Sequence, residues 1–176
     1  HTATMQIRHK NREIYFREQT ECTQKYVIPY IEQVLCIKSN LRVLEIGCGE
    51  GGNLKPFLDV GCYCVVIDID VAQLEKAKSF FANHSLNKNL RLIANDIYKV
   101  SPNEIGNFDL IILRDVIEHL PNQELFMHQL KCFMHSESVV FFGFPVWCNP
   151  FGGHQQICRS KWLSHTPWLH LLPKRL

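Results

Sequence analysis

A short apolar stretch, Val43-Leu44-Glu45-Ile46, runs directly into Gly47-Cys48-Gly49-Glu50-Gly51-Gly52. A strand feeding a turn this rich in glycine brings its backbone very close to a ligand, because only residues without Cβ allow such an approach. Gly47, Gly49 and Gly52 satisfy G-x-G-x-x-G, the spacing of dinucleotide-binding turns. Glu45 argues against that ligand, since a carboxylate beside a pyrophosphate at the next helix N-terminus costs electrostatic energy. The same charge favours a ligand that carries an ammonium group.

The chain has 176 residues, 46% of them hydrophobic, enough for one core and one domain. Its net charge of +2 leaves no electrostatic footprint for nucleic acid or for an anionic membrane. Arg8, Lys10, Arg12 and Arg17 make the amino end locally basic, but Glu13, Glu18 and Glu21 dilute it, as on a solvated helix face. No apolar run is long enough to span a bilayer. Eight cysteines include no C-x-x-C pair, so neither a zinc site nor a disulfide framework is predicted, and idle thiols in a cytoplasmic protein are expected.

Helical spacing of Val27, Ile28, Ile31, Val34 and Leu35 predicts a helix from Thr20 to Ile37, with a kink at Pro29. Strands are predicted at Leu41–Ile46, Cys62–Asp68, Leu90–Ala94, Phe108–Leu113 and Val139–Phe144. Between them lie helices from Asn53 to Val60, from Asp70 to His84 with a capping box formed with Gln73, and from Pro121 through Phe126, Leu130 and Phe133. Strands alternating with helices give a doubly wound α/β sheet in three αβα layers, mostly parallel, whose ligand lies at the carboxyl ends of the strands. The expected organisation is a helical segment over residues 1–40, a core over 41–146, and a cover of loops and helix over 147–176.

Three of these strands end in an acid. Asp68 can accept hydrogen bonds from ribose hydroxyls, its alternative role as a helix N-cap being better filled by Asp70. Asp96, in Asn95-Asp96-Ile97, can accept from an adenine amine while Ile97 packs on the ring; an Asx turn closing the strand is the competing role. Asp115, Glu118 and His119 follow the fourth strand, but the absence of a second histidine at i+4 argues against metal binding there. His154, in the loop Pro150-Phe151-Gly152-Gly153-His154, is either a base or substrate contact or an exposed loop residue.

The set Glu45-x-Gly47-x-Gly49-x-Gly51, Val66-Ile67-Asp68-Ile69-Asp70 and Asn95-Asp96-Ile97 resembles the motifs of class I S-adenosylmethionine-dependent methyltransferases, and Phe108 to Pro121 resembles the family's fourth-strand segment almost throughout. Gly-Gly-His stretches similar to the one at His154 occur in uncharacterised bacterial members. The resemblance covers Leu41 to Phe144 and implies a Rossmann-like fold, S-adenosylmethionine as methyl donor and S-adenosylhomocysteine (SAH) as product. It places the amino-acid end of the cofactor on Glu45, Gly47, Cys48 and Gly49, with Leu113 and Arg114 lining the methionine arm. Asp68 with Ile69 goes to the ribose, and Asp96 with Ile97 to the adenine. Asp115, His119 and His154 are candidates to take a proton from a small-molecule methyl acceptor. A nicotinamide-dependent oxidoreductase and a non-catalytic S-adenosylmethionine-binding module are the alternatives.

The family's fold normally adds two further strands, and nothing after Trp147 reads as either. A bare apolar edge at Val139–Phe144 invites pairing. Either the chain is truncated, or its last segment folds back over this edge, or two chains pair there as a homodimer.

Overall fold

The computed structural model describes residues 12–146, 148–150, 160, 162 and 165–168. The chain divides into two units after Phe142. In the first, five strands form one sheet: β1 (Arg42–Ile46), β2 (Tyr63–Asp68), β3 (Leu90–Ala94), β4 (Phe108–Arg114) and β5 (Met134–Gly143), in the order β3-β2-β1-β4-β5. β1 pairs in parallel with β2 and β4, and β2 in parallel with β3. The helices are α1 (Arg12–Cys22), α2 (Ile28–Ile31), α3 (Lys55–Val60), α4 (Val71–Phe81), α5 (Pro102–Ile105) and α6 (Gln123–Cys132).

Alternation along the central strands explains why they read as continuous apolar runs. Val43 on β1 and Leu110 and Ile112 on β4 pack with Phe57 and Leu58 of α3 and Leu74 and Phe81 of α4. Their neighbours Leu44, Ile46, Ile111 and Leu113 pack on the other face with Ile105 of α5 and Phe126 and Leu130 of α6. Both faces are thus covered, as a parallel sheet requires, and the α/β, three-layer, Rossmann-like expectation holds. Among the described residues no helix is long and apolar enough to cross a membrane.

Four local expectations are corrected. The helix expected from Thr20 to Ile37 is α1 passing through a π turn, Thr23–Val27, into the short α2. Pro29 has no N–H to give to a regular helical bond, and the wider turn just before it absorbs the mismatch. Pro121 does not open α6: Asn122 is its N-cap, with φ 50°, and its side chain accepts from the Leu125 N–H. A carboxamide can satisfy that orphan donor, whereas proline offers no such group. β5 begins at Met134, well before Val139, because its exposed polar start is held by side chains: Ser138 Oγ donates to the Phe108 carbonyl and His135 Nε2 lies 3.1 Å from Asp109 Oδ1. The capping box of α4 is only half made. Asp70 caps Ala72 and Gln73, but the Asp70 N–H donates to Asp68 Oδ1 at 2.8 Å, so Gln73 does not reach back to it.

In the second unit, beginning at Gly143, Asn149 N–H donates to the Val146 carbonyl, and the Trp168 indole donates to the Cys148 carbonyl at 3.3 Å.

Candidate active site

The site is built at the carboxyl end of β1. Gly47, Gly49 and Gly51 all have left-handed backbone, with φ of 72°, 55° and 81°. A Cβ on Gly47 would lie 2.5 Å from Val116 Cγ2, so the turn passes directly beneath the loop after β4. The glycine at position 52 serves a different neighbour: a Cβ there would meet the Phe16 carbonyl oxygen of α1. Thr20 Oγ1 donates to the Gly52 carbonyl at 3.1 Å, and Arg12 pairs with the buried Glu50 at 2.6 Å. The dinucleotide-like spacing therefore arises partly from helix packing.

Asp68 fixes the turn from the side. Its Oδ2 accepts from the Cys48 N–H at 3.0 Å and its Oδ1 from the Asp70 N–H. An ionised carboxylate has about four acceptor positions, so two such bonds leave capacity for ribose hydroxyls. Asp96 Oδ1 accepts from the Tyr98 N–H at 3.1 Å, capping the turn Ile97–Lys99. The Asx turn is formed, and one oxygen of the pair takes part in it.

Two cavities meet at this turn, sharing Gly47, Asp68 and Val116. The first, about 290 Å³, has mainly apolar walls: Ile69 from the end of β2, Ile97 and Tyr98 after β3, and Leu120 after β4. Asp96 and His119 are its polar members beside Asp68 and Asn95. Tyr98 closes one side, its hydroxyl donating to the Pro121 carbonyl. The second cavity, about 530 Å³, is polar, and takes its lining from Tyr15, Glu18 and Gln19 of α1, Cys48 and Gly49 of the turn, Gln73 of α4, and Arg114 with Asp115 at the end of β4.

Glu45 lines neither cavity. It lies beneath the turn, 0% exposed, with Oε1 accepting from Asn53 Nδ2 at 2.9 Å and Oε2 finding no partner. Burial pushes its carboxyl up to about 8, with the Asn53 bond and the Arg114 charge opposing the rise and Asp68 adding to it. Asn53 Oδ1 accepts from Arg114 Nη1 at 2.7 Å, and Arg114 also reaches Thr23 Oγ1 and Cys22 Sγ. Arg114 lines the polar cavity, while Leu113 is fully buried in the sheet and lines neither cavity. Cys48 is buried in the turn, and burial, with the charges of Glu45 and Asp68, raises its thiol above the usual range.

The proton-acceptor candidates are separated. Asp115, with left-handed backbone at φ 55°, lines the polar cavity, and His119 lines the apolar one. Glu118 is 3.9 Å from His119. His154 lies outside the described residues. Among the described residues no group of three or more His, Cys, Asp or Glu side chains is placed to hold a metal ion. The sequence did not point to Tyr15, Gln19, Asn53, Tyr98 or Val116, and only the surplus Gly52 hinted that α1 packs against the turn. The chemistry of this double cavity fits the implied cofactor: apolar walls with a terminal acid suit an adenosine, and a polar chamber lined by Glu18, Asp68 and Asp115 suits a cationic amino-acid end.

The family described as "Methyltransferase domain" matches residues 16–163. The chain belongs to this family. Ubiquinone biosynthesis O-methyltransferase of Bartonella tribocorum is 25% identical over 125 residues, which are 65% of this chain and 49% of that protein. The chain therefore spans about half the length of this curated relative. Coclaurine N-methyltransferase, solved with N-methylheliamine and SAH, is similar in fold, with a TM-score of 0.59 and 20% identity over 69% of this chain and 35% of that one. The [4+2]-cyclase SpnF also shares the fold, with a TM-score of 0.56 and 13% identity over 66% of this chain and 43% of its own. Membership of the methyltransferase family and the class I fold agree with the motif reading.

Proposed function

We propose that this methyltransferase-family chain binds S-adenosylmethionine across the two joined cavities and transfers its methyl group to a small-molecule acceptor. The observation that carries this reading is the junction itself, where Gly47, Asp68 and Val116 separate an apolar chamber ending in Asp96 from a polar chamber rich in acids. The fit to an adenosine on one side and a cationic amino-acid end on the other follows from burial and charge.

The cofactor supplies an activated methyl on a sulfonium, so the protein's tasks are positioning and exclusion of water. Asp68 is suited to the ribose, and Asp96 with Ile97 and Ile69 to the adenine. The turn Gly47–Gly49 supports the methionine arm. Glu45, buried behind the turn, acts on that arm through Asn53 and Arg114. Asp115, on the polar side, is better placed than His119 to take a proton from an acceptor that enters there. The name of the Bartonella relative supports a small-molecule acceptor. The seven free thiols among the described residues support a cytoplasmic protein.

Calorimetric titration with SAH and with NADH tests the cofactor. Binding of SAH without NADH is expected, and the reverse overturns the reading in favour of an oxidoreductase. A second reading is a module that binds cofactor without transferring methyl groups, since a fold does not by itself fix the reaction and the proton-acceptor candidates Asp115 and His119 line different cavities. Detectable SAH production by the isolated chain with a panel of small acceptors dismisses it.

A further inference from the structure

The polar cavity contains a set of unpaired acceptors that the motifs do not account for. Gln19 Oε1 and Gln73 Oε1 are buried atoms with no hydrogen-bond partner, and both residues line this cavity. A buried carboxamide oxygen without a donor is costly. Two in the lining of one chamber point to a donor shared between them.

Each is held in place by a feature already described. Gln73 stands where a capping box would turn it back to the Asp70 N–H, but Asp68 has taken that donor, which leaves the carboxamide directed to the cavity. Gln19 is pressed over the glycine turn: a Cβ on Gly52 would come within 2.9 Å of its Oε1, and a Cβ on Gly49 within 3.7 Å of its Nε2. It also hydrogen-bonds Tyr15. Most of the charges around them are negative. Glu18, Asp68 and Asp115 line the same cavity, and its cation, Arg114, is directed to Asn53, Thr23 and Cys22. The missing partner is therefore a compact cation with several N–H donors.

We propose that Gln19 and Gln73 together hold the α-ammonium group of the cofactor's amino-acid end. This rests on the cofactor reading above, and it makes α1 part of the binding site. Both carboxamides line the polar cavity and neither lines the apolar one, so they act on the amino-acid end of the cofactor.

Calorimetry on Gln19→Leu and Gln73→Leu tests this with four ligands: SAH, 5′-methylthioadenosine, which lacks the amino-acid end, and SAH analogues without the carboxylate or without the amine. Each variant is expected to lose about tenfold in affinity for SAH and for the amine-bearing analogue. Both should bind 5′-methylthioadenosine and the amine-free analogue like the parent, which also verifies their folding. Equal losses for 5′-methylthioadenosine, no loss for SAH, or a loss confined to carboxylate-bearing ligands overturns the proposal. If the parent binds none of the four, the cofactor reading fails; if it binds all four and the variants behave like it, only the ammonium clasp fails.

Discussion

The apolar and polar cavities share a boundary but are built by different means. The apolar one is made by strand ends and the turns that follow them, each short in sequence and tied to the sheet by backbone pairing. The polar one depends on α1, which has no fully buried residue of its own and docks through Phe16, packed on Phe80 and Phe81, and through long-range contacts to the glycine turn. The apolar side is therefore preformed by the sheet. The other side depends on tertiary docking of a helix that is not hydrogen-bonded into the sheet.

Glu45 supplies the largest test of this difference. Its carboxyl is raised from 4.5 to about 8 by burial, so between those values the folded chain holds a proton that the unfolded chain has released. The folded state binds more protons there, and stability falls as pH rises through this window. Glu45→Gln keeps an acceptor for Asn53 and removes the titration. Relative to the parent, the variant should gain on the order of 4 kcal/mol between pH 4.5 and pH 9 in denaturant unfolding. A pH-independent difference would show that the buried network does not carry the proton. Through Asn53 and Arg114 the change belongs to the polar side, and 5′-methylthioadenosine affinity should follow pH less than SAH affinity does.

Asp68 belongs to both cavities and should break both. Asp68→Ala removes the acceptor of the Cys48 and Asp70 N–H groups together with the expected ribose contact. Affinity for SAH and for 5′-methylthioadenosine should fall together, by about 2–3 kcal/mol. Calorimetry that found only SAH affected would move Asp68 wholly to the polar side.

The strands were legible in the sequence because their side chains alternate between two buried layers, and the acids at 68 and 96, which line the cavities, were legible through local chain order alone. Gln19, Tyr15 and Val116 were not. Gln19 and Tyr15 sit on a helix whose composition reads as solvated, and they become part of the site only because Gly52 lets α1 approach the turn. Val116 looks like any apolar residue until Gly47 passes beneath it. Glu45 was legible as an acid in the strand before the glycine turn, but its burial behind Asn53 was not, because that depends on Arg114 arriving from another strand. The polar start of β5 was hidden for a similar reason, since Ser138 and His135 hold it through contacts to β4.

The smallest effect should fall on the apolar side. Tyr98 bridges the segment after β3 to the turn before α6, its hydroxyl donating to the Pro121 carbonyl and lying 3.3 Å from that of Asn122, while its ring meets Phe126 edge-on. Tyr98→Phe keeps the ring and removes the bridge. The cost should be about 1 kcal/mol, the net worth of one hydrogen bond, because Gln129 still holds the Ile97 and Val100 carbonyls from α6. Since the bridge touches only the wall beside the adenosine, the loss should appear equally for adenosine, 5′-methylthioadenosine and SAH. A loss seen with SAH alone would mean that the two cavities are coupled through the loop after β4, and that Val116 transmits strain from one to the other rather than simply dividing them.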